Sequence, residues 1–202
     1  MAITSIKTGS SFTNLVKYND FLAGNPAFSP SSYESIASAT GTGSSNTIIF
    51  SSIPSTYASL QIRINGKSTY NQNSSAAIIV RANGSSATDY SYHFVQGYGT
   101  GVQAGGYASQ TEMWLGAALN DGAGVSSMMG VTIIDVHDYA STTKNKTFRS
   151  FSGEDRNTTS SAVYLFSGAW LSTSAITSLS VIVNDGSWNT SSTVSLYGIK
   201  GA

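Results

Sequence analysis

The chain of 202 residues contains no cysteine, three prolines, two histidines and few charged side chains. The absence of cysteine excludes a disulfide framework, thiolate zinc sites and a cysteine nucleophile. Charged residues make up 10% of the chain, against about 25% in typical soluble domains. The ten acidic and ten basic side chains cancel and form no basic stripe. The sequence therefore predicts no nucleic-acid binding.

Long apolar runs and common enzyme signatures are missing as well. No run approaches the ~20 residues of a membrane-spanning helix, so we expect no membrane insertion. The opening MAITSIKTGSSF is too polar for the apolar region of a signal peptide, and we therefore expect no secretory leader. The chain has no G-x-S-x-G, no H-E-x-x-H and no P-loop motif.

Three short stretches could still carry chemistry, but each has a simpler interpretation. Asp135 and His137 share one strand face and could bind a metal or orient a base, although a strand leaving the core also explains them. Glu154 and Asp155 could form a glycosidase pair, but adjacent strand residues point oppositely, so we expect a solvated loop. The glycines of residues 97–106, GYGTGVQAGG, do not fit a dinucleotide motif and predict a flexible loop. We therefore expect a non-enzymatic protein without cofactor or metal.

From about residue 33, short runs of alternating apolar and polar residues are separated by turn residues. Such runs recur every ten to twenty residues without helical spacers, which is typical of an antiparallel sandwich or barrel. The sequence predicts an all-β, jelly-roll-like sandwich of eight to ten strands over residues 33–202. The predicted core consists of Leu60, Ile62, Ile64, Ile78, Val80, Ile133, Leu165, Leu179, Val181, Val183 and Leu196.

Residues 1–32 differ from the rest and form a predicted N-terminal arm. Apolar residues between Phe12 and Leu22 follow helical spacing, and Gly24 and Pro26 would end the helix. An extended, proline-containing segment follows. Because a helix of two to three turns is marginal in isolation, it must pack on something. We expect the arm to carry attachment, through Phe12, Leu15, Val16, Tyr18, Phe21 and Leu22.

Tyrosine and tryptophan occur among glycine and serine in residues 88–114, and again at Trp188. Tyrosine on such adaptable loops is typical of recognition surfaces, and its ring can also stack on sugars. The candidate glycan contacts are Tyr98, Tyr107 and Trp188, of which Trp188 in the polar loop NDGSWNTSS is expected to be the most exposed. The interpretation that we favour is that Tyr92, Phe94 and Trp114 fill the core, while Tyr98 and Tyr107 pack a long loop.

Three motifs connect the chain to a known class of proteins. Residues 18–27 read YNDFLAGNPA, residues 50–63 read FSSIPSTYASLQIR, and residues 196–199 read LYGI. These motifs resemble those of virion structural proteins of tailed bacteriophages, of the cyanophage and marine-phage type. The resemblance implies a non-enzymatic component of the particle surface, such as a head decoration, a fibre or a tail appendage, attached through its N-terminal arm.

The resemblance also implies partners and a location. The expected partners are further copies of the chain, as a homotrimer in keeping with particle symmetry, and other virion proteins. The expected location is the virion, after assembly in the host cytoplasm. The alternative function is a carbohydrate-binding adhesin of a phage fibre that recognises host-surface glycans. A small glycan-degrading enzyme is the least supported hypothesis, because the sequence contains no recognisable acid pair or nucleophile motif.

Overall fold

The computed structural model describes residues 32–122, 127–159 and 161–201. These ranges contain twelve strands and no helix, which confirms the all-β class, although the predicted number of strands was too low. No helix in this part of the chain is long and apolar enough to cross a membrane. The predicted attachment residues Phe12, Leu15, Val16, Tyr18, Phe21 and Leu22 lie outside the described residues. The strands are β1 (Tyr33–Thr40), β2 (Thr47–Phe50), β3 (Ser59–Ser68), β4 (Ser75–Ala82), β5 (Tyr90–Tyr98), β6 (Gly101–Gln110), β7 (Met113–Asn120), β8 (Gly130–His137), β9 (Lys146–Glu154), β10 (Ala162–Trp170), β11 (Leu179–Val183) and β12 (Thr193–Ile199).

The strands form a larger and a smaller sheet that are joined through β3. The larger sheet has the order β1-β12-β3-β8-β9-β10-β5-β6 and is antiparallel throughout. The smaller sheet has the order β2-β11-β4-β7, and β7 runs parallel to the last two residues of β3. Strand β7 packs on the larger sheet across β8, β9 and β10. This arrangement confirms the predicted sandwich-like architecture.

The core lies between the two sheets and follows the period-two alternation of the strands. Two predicted core residues are nevertheless wrong: Ile133 is 40% exposed and Leu165 is 48% exposed. They lie on the outer faces of β8 and β10, because their neighbours Ile134 and Phe166 point inward and fill the core. The other predicted core residues are buried, as expected: Leu60, Ile62, Ile64, Ile78, Val80, Leu179, Val181, Val183 and Leu196.

The inner face of β9 carries hydroxyl groups where it meets the edge of β7. The Ser150 hydroxyl donates to the Leu115 carbonyl oxygen at 2.5 Å, and the Ala117 amide donates to the Ser152 hydroxyl at 3.0 Å. The Thr132 and Ser152 hydroxyls lie 2.7 Å apart. Buried backbone groups need hydrogen-bond partners. These hydroxyls therefore take the place of a neighbouring strand along this part of β7.

The glycine-rich stretch 97–106 is a β-hairpin, so the predicted flexible loop is wrong. Its turn contains Gly99, whose φ of +55° lies in the left-handed region that glycine tolerates. The glycines that follow lie in β6 and leave room for side chains of β5. A Cβ atom on Gly105 would approach the Phe94 ring to 2.7 Å. Glycine here allows an aromatic ring to lie across the neighbouring strand, and does not indicate flexibility.

Candidate functional site

The outer face of the larger sheet carries exposed apolar side chains on five adjacent strands, β8, β9, β10, β5 and β6. One row of directly paired residues crosses four of these strands: Ile133, Phe151, Leu165 and Val95. The next outward-facing row, two residues along each strand, contains Val131, Val163 and Val102. We call the whole set the outer apolar face, and its members are Val95, Val102, Val131, Ile133, Phe151, Val163 and Leu165, each at least 40% exposed.

The outer apolar face is large enough to be a binding surface. The outward face of these five strands, with ~4.8 Å between strands and eight to ten residues at ~3.3 Å each, covers roughly 24 by 28 Å, or about 650 Å². The outer apolar face occupies two residue rows of it, which is about half of that area, or about 300 Å². Single exposed apolar residues are common on monomers, whereas contiguous patches of several hundred Å² mark interaction sites. This sheet face therefore has the dimensions of a protein interface.

A polar row borders the outer apolar face. The Arg149 guanidinium donates to Asp135 Oδ2 at 2.8 Å, and the Gln61 amide donates to Asp135 Oδ1 at 2.8 Å. Although partial burial alone would raise the pKa of Asp135, the hydrogen bonds from Gln61 and Arg149 lower it below its usual value. Asp135 shares this outer face with His137, as predicted, but its carboxylate is already engaged by two neighbours.

Among the described residues, no group of three or more His, Asp or Glu side chains is positioned to hold a metal ion.

A cleft of about 340 Å³ opens between the two sheets, with β4 and β7 on one side and β10, β5 and β6 on the other. None of the described residues that line it carries a charge. We call it the aromatic cleft, because five ring-bearing side chains line it: Phe94, Tyr107, Trp114, Tyr164 and Phe166.

One wall of the aromatic cleft is formed by the rings of Tyr107 and Trp114, with the buried Tyr92 ring near-parallel between them. Tyr92 lies in the middle, 5.0 Å from the Tyr107 ring and 6.1 Å from the Trp114 ring, with interplanar angles of 26° and 16°. Tyr92 is 4% exposed, whereas Tyr107 and Trp114 are 46% and 41% exposed. Burial, together with Tyr107 and Glu112 nearby, raises the pKa of Tyr92 to about 12. A buried, neutral phenol thus supports two accessible rings.

The remaining lining adds uncharged polar groups. The Gln96 amide nitrogen donates to the Gln103 amide oxygen at 2.5 Å, across the β5–β6 hairpin. This bond uses one amide atom of each side chain and leaves the other free for a ligand. The Ser75 hydroxyl accepts a hydrogen bond from the Arg156 guanidinium at 3.3 Å. The cleft therefore combines apolar ring faces with neutral donors and acceptors.

The three sequence-predicted glycan contacts lie in different environments. Tyr98 and Tyr107 are both exposed, but they lie on strands β5 and β6 rather than on loops. Of the two, Tyr107 lines the aromatic cleft. Trp188 was expected to be the most exposed ring, and this is wrong because its side chain is fully buried. Its indole nitrogen donates to the Val181 carbonyl oxygen at 3.2 Å, and the missing side chain of Gly66 makes room for its ring.

The sequence did not lead us to predict that the Trp114 ring in the cleft is exposed. Its neighbours Met113 and Leu115 are both fully buried. Because side chains alternate along a strand, Trp114 must point to the opposite side of β7. The pattern M-W-L within one strand was the signal that could have indicated this.

The prediction of a solvated loop at residues 154–155 is wrong for Glu154. This residue is buried and forms a bidentate ion pair with Arg156, with N···O distances of 2.9 and 2.6 Å. Burial raises the pKa of Glu154, and the Arg156 guanidinium opposes that shift. Asp155 is exposed and accepts a hydrogen bond from the Asn157 amide. The two carboxylates therefore do not face a common space, as a glycosidase pair would.

Comparison of the chain with protein-family models, curated proteins and solved structures returned no match.

Proposed function

We propose that the chain is a non-enzymatic structural protein of a bacteriophage particle, and that its sandwich assembles with further copies through the outer apolar face. The observation that carries the proposal is this contiguous, exposed apolar surface on five strands. The phage-like motifs at residues 18–27, 50–63 and 196–199 support the proposal that this assembly is a phage particle. In this proposal the protein is part of the virion surface, and residues 1–32 attach it to other virion proteins.

A second copy of the chain is the occupant that we propose for the outer apolar face. The whole outward face of the five strands, roughly 650 Å², approaches the ~800 Å² per partner of a standard protein interface, and the outer apolar face makes up about half of it. The formal net charge of the chain is zero, so copies do not repel one another through a common charge. A homotrimer is the assembly that particle symmetry favours.

Sedimentation velocity tests this assembly. We expect the wild-type chain to sediment as an oligomer at micromolar concentration, and the double variant Phe151→Ser/Leu165→Ser to sediment as a folded monomer. Ile49→Ser is the matched control, because Ile49 is 63% exposed on β2 of the smaller sheet, outside the outer apolar face. Incorporation into reconstituted particles, located by electron microscopy, is measured alongside. A wild-type chain that stays monomeric and is absent from particles would refute the proposal.

A second candidate function is a carbohydrate-binding adhesin of a phage fibre. The half-exposed rings of Tyr107 and Trp114 favour it, because most large aromatic side chains of a sandwich are buried in its core. A glycan array probed with the assembled protein tests it, since many copies acting together compensate for weak individual sites.

A further inference from the structure

We infer that the aromatic cleft is a binding site for an uncharged hexose unit of a glycan. This inference rests on the second candidate function and adds the site and the chemical class of ligand.

The ring wall provides the apolar part of such a site. Tyr107 and Trp114 are half-exposed and line the cleft, and the buried Tyr92 ring between them lies near-parallel to both. The face of an aromatic ring is electron-rich. The C–H groups on one face of a hexose ring are apolar and slightly positive, so they complement this surface.

The polar part of the site comes from Gln96 and Gln103, which lie nearer to the β5–β6 turn than the rings do, and from Ser75 on β4. Gln96 and Gln103 each keep one free amide atom, and Ser75 adds a hydroxyl. A sugar hydroxyl both donates and accepts hydrogen bonds, and amides together with hydroxyls match that pattern. Ligand sites commonly combine mostly apolar walls with a few such polar groups.

The electrostatics of the cleft select against charged ligands. Acidic sugars and phosphates need a cationic partner such as Arg or Lys when they leave water. The described lining holds no charged side chain, and the nearby Arg156 is already paired with Glu154. A neutral sugar can enter without an uncompensated charge.

The size and rigidity of the cleft also fit a small ligand. A water molecule takes up ~30 Å³ in the liquid, so a volume of about 340 Å³ corresponds to on the order of ten waters, or one to two sugar rings. The lining side chains come from strands β4, β5, β6, β7 and β10. Side chains on paired strands lose little freedom on binding, which favours a preformed site.

Intrinsic fluorescence gives a readout that is specific to the cleft. The chain has three tryptophans, and Trp170 and Trp188 are buried, whereas Trp114 lines the cleft. A change of emission on titration with a sugar therefore reports on Trp114.

The experiment uses the full-length protein. An array of neutral hexose oligosaccharides and of matched uronic-acid oligosaccharides is probed first, and the best neutral oligosaccharide is then titrated by fluorescence and by calorimetry. We expect binding of neutral oligosaccharides only, a loss of affinity of at least tenfold in Trp114→Ala by calorimetry, and a smaller loss in Gln103→Ala. Tyr70→Ala is the matched control, since Tyr70 is 43% exposed and lies outside the cleft lining. The affinity of this variant for the oligosaccharide should match that of the wild type.

Each contrary outcome has a defined meaning. Glycan binding that survives in folded Trp114→Ala would overturn the cleft assignment while leaving the adhesin function in place. The absence of any glycan binding by the assembled wild type would overturn both. Equal binding of uronic-acid oligosaccharides would overturn the ligand class. The Phe151→Ser/Leu165→Ser sedimentation result is independent of all three.

Discussion

The buried phenol of Tyr92 makes the stability of the folded protein decrease at alkaline pH. Burial raises the pKa of this phenol from 10.0 to about 12. A group with a raised folded-state pKa stabilises the protein fully below its unfolded pKa, and this contribution is lost as pH rises through the folded pKa. With a shift of two pKa units, the loss for Tyr92 runs from about pH 10 to 12 and amounts to about 1.4 kcal/mol at pH 11.

The variant Tyr92→Phe isolates this contribution, because phenylalanine keeps the ring and cannot ionise. Urea denaturation gives the free energies of unfolding of the wild type and of the variant at pH 8 and at pH 11. We expect the wild type to lose about 1.4 kcal/mol more than the variant between the two pH values. An unchanged difference between the two proteins would contradict the raised pKa of Tyr92.

Trp188 and Trp114 show which side-chain positions could be predicted from the sequence. Trp188 lies among polar turn residues, and its neighbours suggested exposure, but the loop folds back so that the ring fills space beside Gly66. That packing is a long-range contact and has no local signal. Trp114 has a local signal, because alternation with the buried Met113 and Leu115 places it on the other side of β7.

At the scale of elements, the edge of β7 depends on hydroxyl groups from β9. Ser152→Ala removes the acceptor of the buried Ala117 amide. We expect the free energy of unfolding to fall by about 1–3 kcal/mol, since an unsatisfied buried donor loses its solvation without gaining a partner. Hydrogen exchange at the Ala117 amide should also become faster.

Ser167→Ala is the control for this prediction. Ser167 lies on β10 and is exposed on the outer face of the larger sheet, so its replacement should change the stability by no more than about 0.5 kcal/mol. Equal losses for Ser152→Ala and Ser167→Ala would show that the hydroxyl of Ser152 does not support the edge of β7.

Alternation predicted the strands well but could not always decide which strand face is inside. On β3 only one face is apolar, and the predicted core residues Leu60, Ile62 and Ile64 are buried. On β8 and β10 both faces carry apolar residues, so Ile133 and Leu165 were placed inside although they form part of the outer apolar face. Strand β6 escaped prediction because glycine has low strand propensity. The outer apolar face and the aromatic cleft both depend on strand pairings that are distant in sequence.

At the scale of the whole molecule, the described sandwich presents two different surfaces. The outer apolar face lies on the larger sheet, and the aromatic cleft opens between the two sheets. A second copy docked on the outer apolar face would not cover the aromatic cleft, since the cleft is lined by residues on the inner faces of β5 and β10. Assembly and recognition can therefore coexist in one small chain, with each tested by its own variant.

Among the described residues, the buried cluster of the sandwich runs from Phe50 to Leu196 and joins both sheets. The N-terminal arm is predicted to be a segment separate from this sandwich. We expect deletion of residues 1–30 to leave a soluble, folded protein with the circular dichroism of a β-protein and an unchanged urea midpoint. Because we assign attachment to the arm, the truncated chain should no longer incorporate into particles.

Incorporation of the truncated chain is measured by electron microscopy of reconstituted particles, with the full-length chain as the control. The Phe151→Ser/Leu165→Ser variant in the full-length background separates attachment from self-association, because it keeps the arm and loses the outer apolar face. Normal incorporation of the truncated chain would place attachment in the sandwich. Failure of the truncated chain to fold would instead make the arm part of the core, since a domain cannot lose residues that complete its packing without a large loss of stability.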